Sequence, residues 1–454
     1  MNIIIVGCGK IGEKLAEKLS LEKEHDITVI DTRYRVVQDI ANKYDLMGVV
    51  GSGASTATLH EAGVENADLL IAVTGSDELN LLVCLIARKT GGNCKTIARV
   101  RKPEYSKDLN LFKEDLGLAM IINPEQTAAA EIARVLRFPT AIAIDTFAKG
   151  RVEILKFRIR QGSPLADMRI SDMSKKLSCD VLVCGAERGD DAIIPSGDFT
   201  VKEGDLLSVV ASPKNAAYFF KKIGVKTNKV KDTIIVGGGS TSYYLAAQLL
   251  QSGIDVKIIE QNPERCERLC QLLPKATIIN GDGTDTGLLL EEGLERCESF
   301  VSLTNIDEEN VLLSLYAKSI TNAKVITKVN RIAYDNVIDS LNLDSVIYPK
   351  NITAEYIVRF VRAKNNSMGS SNIETMHMIF GGKAEALEFR IHESSEITDK
   401  PLQELNIKSN ILITCINRNG KIIIPRGQDT IQTGDTVIVI TTVTGLNNIS
   451  DILG

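Results

Sequence analysis

The sequence predicts an α/β protein made of two tandem Rossmann-type doubly wound parallel sheets, each followed by a small β-rich α+β lobe. Three observations carry this. The opening "NIIIVGCGKIG" at Asn2 returns as "DTIIVGGGSTS" at Asp232. After each opening, short apolar runs alternate with helical patterns, as parallel strands joined by crossover helices do. A displacement of 230 positions also lays one half on the other, setting Gly7 on Gly237, Asp77 on Asp307, Pro195 on Pro425 and Asp205 on Asp435. Self-similarity over that length is a duplication of whole domains rather than a solenoid of short repeats.

Each unit divides in the same way. "NIIIVG", "DITVID", "LMGVVG" and "ADLLIAVTG" read as strands, with "GEKLAEKLS", "VVQDIANKY" and "TATLHEAGV" as the helices between them, so residues 1–123 form the first Rossmann lobe. After Pro139 the pattern changes to "VEILKFRI", "CDVLVCGAER", "DAIIPSG" and "DLLSVVAS", short strands parted by Gly, Pro and Asp turns. This gives a first small lobe over residues 140–226. The second copy repeats both parts, with a Rossmann lobe over 231–349 and a small lobe over 370–454. The helices "TAAAEIARVLRF" and "ITAEYIVRFVRA" link sheet to small lobe and are apolar on one face. Their arginines, Arg134, Arg137, Arg359 and Arg362, predict pairing across an interface; the alternative is a helix that packs on its own lobe.

Composition bounds the function. A net charge of −5 over 454 residues argues against general nucleic-acid binding, which needs a basic surface. The longest apolar runs fall short of the roughly 20 residues of a membrane span. No basic, cleavable leader opens the sequence, so the protein is expected to stay in the compartment where it is made. Nine cysteines without paired spacing fit reduced thiols. Cys266 and Cys270 share a helix face, but no cluster completes a metal site.

"GCGKIG" places Gly7, Gly9 and Gly12 at G-x-G-x-x-G spacing between a strand and a helix. The first glycine permits the tight turn and the second a close approach to pyrophosphate. The third lets helix pack on strand, and the helix N-terminus faces the phosphates. Asp31 closes the second strand where an acid accepts hydrogen bonds from ribose hydroxyls. The second copy keeps Gly237 and Gly239, and Glu260 stands as its ribose acid, but Ser242 replaces the third glycine. That copy is a second nucleotide site or a repeat kept for its shape. Thr74, Ser76 and Asp77 suit a helix N-cap, and capping alone accounts for much of "VTGSDELN". They also stand at the carboxyl ends of strands, where doubly wound sheets bind ligands. Arg99 is placed to pair with phosphate oxygens there, and Lys328 takes its position in the second copy.

Enzymatic signatures are lacking. The four histidines, His25, His60, His377 and His392, do not match between the halves, and no Walker A loop or acid–base carboxylate pair is present. A small β lobe follows where a dehydrogenase would carry its substrate domain. A non-catalytic sensor is the first reading, and a soluble NAD-dependent dehydrogenase with a duplicated Rossmann domain the alternative.

The paired glycine loops, the acid ending strand two, "VTGSDELN", "IARVR" and the Pro/Gly/Asp-rich small lobes resemble the TrkA family. These are the peripheral nucleotide-binding subunits of Trk-type potassium uptake systems, built from regulator-of-potassium-conductance (RCK) units. The resemblance covers essentially the whole chain. It implies NAD(H), with ATP or ADP as further ligands, at Gly7, Cys8, Gly9, Lys10, Ile11, Gly12, Asp31, Thr74, Gly75 and Arg99. In the second copy it implies Gly237, Gly239, Glu260, Thr304 and Lys328. It further implies units that cross over to their neighbours and four chains closing an eight-unit ring. That ring would lie on the inner face of the plasma membrane beneath a potassium-translocating subunit. The loop after strand three departs between copies, "GSGAS" with Ser52 against "GDGTD" with Asp282, leaving open which nucleotide each lobe prefers.

Overall fold

The computed structural model describes the chain except residues 22–24, 93, 103–104, 106–115, 138–142, 148–151, 178–180, 190, 225–229, 332–337, 339–340, 342, 369–372, 381–382, 444–445 and 447. The first sheet holds β1 (Asn2–Val6), β2 (Asp26–Asp31), β3 (Met47–Val50), β4 (Leu69–Ala72), β5 (Lys95–Arg99) and β6 (Leu118–Ile122). Its order is β3-β2-β1-β4-β5-β6, with every pairing parallel. Ile3 to Val6 are all buried, as a strand with helices on both faces requires. Crossovers run through α1 (Lys10–Ser20), α2 (Tyr34–Tyr44), α3 (Thr56–Glu61) and α4 (Asp77–Thr90), and α5 (Pro124–Arg137) follows β6. In α1 the buried Ile11, Leu15, Ala16 and Leu19 make one stripe at helical spacing, which seats it on the sheet.

The first small lobe contains β7 (Ala143–Phe147), β8 (Val152–Arg158), α6 (Ile170–Leu177), β9 (Leu182–Arg188), β10 (Asp191–Ile193), β11 (Leu206–Ala211) and α7 (Pro213–Lys222). Its antiparallel sheet runs β10-β9-β11-β8-β7. The second Rossmann lobe comprises β12 (Asp232–Val236), α8 (Ser240–Gln251), β13 (Asp255–Glu260), α9 (Pro263–Leu272), β14 (Thr277–Asn280) and α10 (Thr286–Glu291). It continues with β15 (Ser299–Ser302), α11 (Asp307–Ile320), β16 (Lys324–Lys328) and β17 (Ser345–Ile347), and α12 (Pro349–Met368) follows. Its order, β14-β13-β12-β15-β16-β17, repeats the first. The last sheet, of β18 (Ile373–Ile379), β19 (Ala384–Arg390), β20 (Ile411–Arg418), β21 (Lys421–Ile423) and β22 (Thr436–Thr441), runs β18-β19-β22-β20-β21 and matches the first small sheet strand for strand. Each small lobe clamps its last turn with a two-pronged ion pair. Arg188 holds Asp205 at 2.8 Å through both nitrogens, and Arg418 holds Asp435 at 2.9 and 2.7 Å.

The linking helices exchange partners. Ala128, Ile132, Val135 and Leu136 of α5 are buried in one core with Leu245, Ala246 and Leu249 of α8, in the second unit. Ala354, Ile357, Val358 and Val361 of α12 are buried against Leu15 and Leu19 of α1, in the first. Lys18 and Glu355 pair across that second contact at 3.0 Å. The crossing to a neighbouring unit therefore occurs within one chain. Duplication tethers the partner sheet at high effective concentration, so the exchange closes internally. These apolar faces are consumed inside the chain. Arg134 pairs with Glu131 of its own helix at 2.9 Å and Arg362 contacts Met376 Sδ, while the Arg359 side chain lies outside the described residues.

The small lobes also meet each other. Val152, Ile154, Cys184 and Val210 of one share a buried cluster with Phe380, Ala384, Cys415 and Ile438 of the other. Gly185 makes room for the Phe380 ring, since a Cβ there would lie 1.8 Å from Phe380 Cζ. Gly185→Val is expected to cost about 1–3 kcal/mol through overpacking. A lowered urea midpoint with an unchanged slope is the measurement.

Candidate nucleotide site

The first glycine loop leaves β1 in a turn that only glycine adopts without strain, with φ +100° at Gly7. Gly7 N–H donates to Ile30 O at 2.8 Å, fixing the loop to the end of β2. Gly12 is packed so tightly that a Cβ would stand 1.9 Å from Gly7 O, so the third glycine serves the contact between helix and loop. Asp31 is held from several sides. Its Oδ2 accepts from Cys8 N–H at 2.9 Å, and Arg33 grips both oxygens, Nε to Oδ1 at 3.0 Å and Nη2 to Oδ2 at 3.1 Å. Burial raises the Asp31 pKa, but the Arg33 side chain, the Arg33 and Cys8 N–H groups and the Arg33 charge outweigh it, leaving the carboxyl below its usual range. Burial and the Asp31 carboxylate push the Cys8 thiol up to about 12, so it is an inert part of the loop.

Ser76 caps α4 by accepting from Leu79 N–H at 3.2 Å, as its position predicts. Asp77 does something else: its Oδ2 accepts from Arg101 and Lys102 N–H at 2.8 and 2.9 Å and pins the loop after β5. Asn80 Oδ1 accepts from Thr74 N–H at 2.8 Å and Asn80 Nδ2 donates to Arg99 O at 2.9 Å, tying those two strand ends together. Arg99 Nη2 reaches Thr74 O, while Nε is buried without a hydrogen-bond partner. Burial first, then the Arg101 charge, holds the Arg99 guanidinium below its usual pKa.

These groups surround a cleft of about 690 Å³ at the carboxyl end of the sheet. Gly7, Gly9, Lys10, Ile11, Asp31, Thr74, Gly75 and Arg99 line it, all anticipated from sequence. Cys8 and Gly12 do not; both are buried beneath the loop. Residues not anticipated are Arg33, Arg101 and Glu125, and, from the other unit, Asn330, Pro349 and Lys350. Arg33 was findable, two positions beyond the acid; Asn330 and Lys350 were not, because only the exchange of helices brings them here.

The second loop repeats the frame with different contents. Gly237 has φ +96°, Gly238 N–H donates to Glu260 Oε2 at 2.7 Å, and Thr304 N–H donates to Asn310 Oδ1 at 2.8 Å. Ser242 is accommodated by donating its hydroxyl to Gly237 O. Arg265 Nε donates to Gly238 O at 2.6 Å. Lys328 is buried, with Nζ on Leu303 O at 3.1 Å, and burial pulls its pKa down.

Residues 3–124 and 233–349 match the TrkA-N domain, and residues 154–224 and 386–454 match the TrkA-C domain. The chain belongs to the TrkA family. It is 32% identical over 446 residues to the Trk system potassium uptake protein TrkA homolog 1 of Methanosarcina mazei, covering 97% of each chain. Against the Trk system potassium uptake protein TrkA of Halomonas elongata it is 32% identical over 444 residues, covering 97% and 95%. Two solved structures share this TrkA-family fold. They are the GsuK channel bound to NAD (18% identity, TM-score 0.63, 97% of this chain and 76% of that one) and the GsuK RCK domain (19%, 0.63, 97% and 92%).

Proposed function

We propose that this protein is the nucleotide-binding regulatory subunit of a Trk-type potassium uptake system, responding to NAD(H), ATP or ADP. The observation that carries the reading is the first cleft, whose walls come from both units. A ligand there changes contacts on both at once, which is what a regulator needs and a simple binding domain does not. A hydrogen-bonded link runs from the cleft wall to the other glycine helix: Tyr244 Oη donates to Arg101 O and accepts from Asn123 Nδ2, each at 3.0 Å. Nucleotide at Gly7 to Lys10 competes with Arg33 for Asp31, reorders the loops at Thr74 and Arg101, and shifts α8 through that link. A ligand moves such an equilibrium only by its differential affinity for the two states. No histidine lines the cleft, which leaves hydride chemistry without an evident proton donor among the described residues.

No helix among the described residues is long and apolar enough to cross a membrane. The reading places the protein at the cytoplasmic face of the plasma membrane, held by a potassium-translocating partner as a tetramer with an eight-unit ring. The test is calorimetry with NADH, NAD, ATP and ADP beside a hydride-transfer assay. Binding without turnover is expected, and steady oxidation of NADH with a small carbonyl substrate overturns the reading in favour of a dehydrogenase. Asp31→Ala is expected to weaken binding by about 1–3 kcal/mol, since ribose loses a charged acceptor. In cells, that variant should mis-regulate potassium uptake while leaving the transporter inserted. Light scattering at micromolar concentration checks the tetramer, and nucleotide-dependent co-purification checks the membrane partner.

A further inference from the structure

The repeat lets the two nucleotide sites be compared position by position, and their charges are opposed. The first cleft is lined by Lys10, Arg33, Arg99, Arg101 and Lys350 against only Asp31 and Glu125. In the second unit Ser240 stands for Lys10, Asn262 for Arg33 and Asn330 for Arg101, leaving Lys328 as the one matching cation. The same comparison adds acids. Asp282 replaces Ser52, Glu309 replaces Leu79, and Glu125 holds on α5 the place that Lys350 holds on α12. The backbone supports these equivalences. Arg33 and Asn262 are both N-caps and both donate N–H to the ribose acid, at 3.0 and 2.8 Å. Gly51 and Gly281 N–H both donate to the carbonyl of that acid at 3.0 Å, placing Ser52 and Asp282 alike beside it.

Like charges crowd at each site. The Arg101 charge adds to burial in lowering Arg99, whereas the Asp282 charge adds to burial in raising Glu309. Arg265 supplies a cation of the second site's own, engaged with the loop carbonyl of Gly238.

We propose that the two sites divide the nucleotides by charge, the first selecting a nucleoside triphosphate and the second a dinucleotide of lower charge, with Lys350 and Asp282 as specificity-determining residues. The proposal rests on the nucleotide-binding reading above. Lys350, at the first turn of α12, meets the phosphate farthest from the ribose, so the second unit reads how many phosphates the first unit holds. At the second site each added phosphate meets Asp282 and Glu309 and is disfavoured by like-charge repulsion. The helix exchange thereby makes the first site a detector of triphosphate that spans both units.

Each site can be isolated without disturbing the fold. A Cβ at Gly9 or Gly239 meets nothing within 4 Å, and both have ordinary φ, −79° and −66°. Gly9→Asp and Gly239→Asp therefore set a carboxylate against the pyrophosphate of one site only. Calorimetry with ATP, ADP and NAD, in a chelator to remove divalent cations, then ranks ligands at each site. With Gly239→Asp, ATP is expected to bind the first site about tenfold or more tighter than NAD. With Gly9→Asp that order reverses at the second. Lys350→Gln should weaken ATP at the first site about tenfold while leaving NAD nearly unchanged. Asp282→Ser, which restores the first unit's residue and keeps a side-chain acceptor for the turn, should raise ATP affinity at the second. The same ligand order at both sites, a second site that binds none of the three, or a Lys350→Gln loss equal for ATP and NAD each overturns the proposal. If the unaltered protein binds no nucleotide at all, the nucleotide-binding reading itself fails.

Discussion

Ile357→Ala is expected to cost about 2–5 kcal/mol and to loosen the first Rossmann lobe, although it lies in the helix that follows the second. Ile357 is fully buried, and its neighbours in the core are Leu15, Leu19 and the strand residues Ile3 and Ile5. Removing three carbons leaves a cavity that a parallel sheet and two helices cannot collapse into without moving α1, whose N-terminus forms the glycine loop. The discriminating measurement is hydrogen exchange under native conditions. Protection should fall in Lys10–Ser20 before it falls in Ser240–Gln251. The opposite order, or loss confined to α12, would show that the helix belongs to its own lobe. Because α1 carries the loop, nucleotide affinity at the first cleft should fall in the same variant.

Gly12→Val should abolish binding at the first cleft and destabilise the lobe by about 1–3 kcal/mol. The Cβ would collide with the Gly7 carbonyl, a backbone atom that cannot swing aside as a side-chain end does. To accept valine the loop must lift away from the helix, and the amides that face the pyrophosphate lift with it. Gly12→Ser separates size from chemistry. Ser242 occupies this position in the second unit and satisfies its hydroxyl on Gly237 O. Serine should therefore be tolerated better than valine, with a partial loss of affinity in calorimetry. Equal losses for both would mean that the third glycine does no more than provide space for the helix.

Two further side chains show how sequence spacing and structure divide the work. "VTGSDELN" was legible as a capped helix at a ligand-binding end, and Ser76 does cap α4. Yet Asp77 bonds the loop after β5 rather than its own helix, and in the second copy Ile306 is the N-cap without a side-chain hydrogen bond, while Asp307 makes the same loop contacts. Local propensity identified the turn, but the acid's partner is 24 residues away and leaves no local pattern. Lys328 was placed as the counterpart of Arg99 from its position on the strand. That position holds, but its Nζ lies on a buried carbonyl.

The sequence by itself determined both doubly wound sheets, both glycine loops and their acids. These features depend on neighbours a few residues apart: a β-branched run buried on both faces, an amphipathic stripe at helical spacing, a turn that only glycine can make. Tertiary structure alone decided where α5 and α12 go, and with them the residues that complete the first cleft. An apolar stripe such as Ala354, Ile357, Val358 and Val361 records that a face will be buried, not against which sheet. The two sheets are copies and offer similar surfaces, so the hydrophobic effect, which has no direction, does not distinguish them in the one-dimensional pattern. The choice is made by packing of specific shapes and by pairs such as Lys18 with Glu355, formed by residues more than three hundred positions apart. That choice carries Asn330 and Lys350 to a cleft whose glycines lie at the other end of the chain.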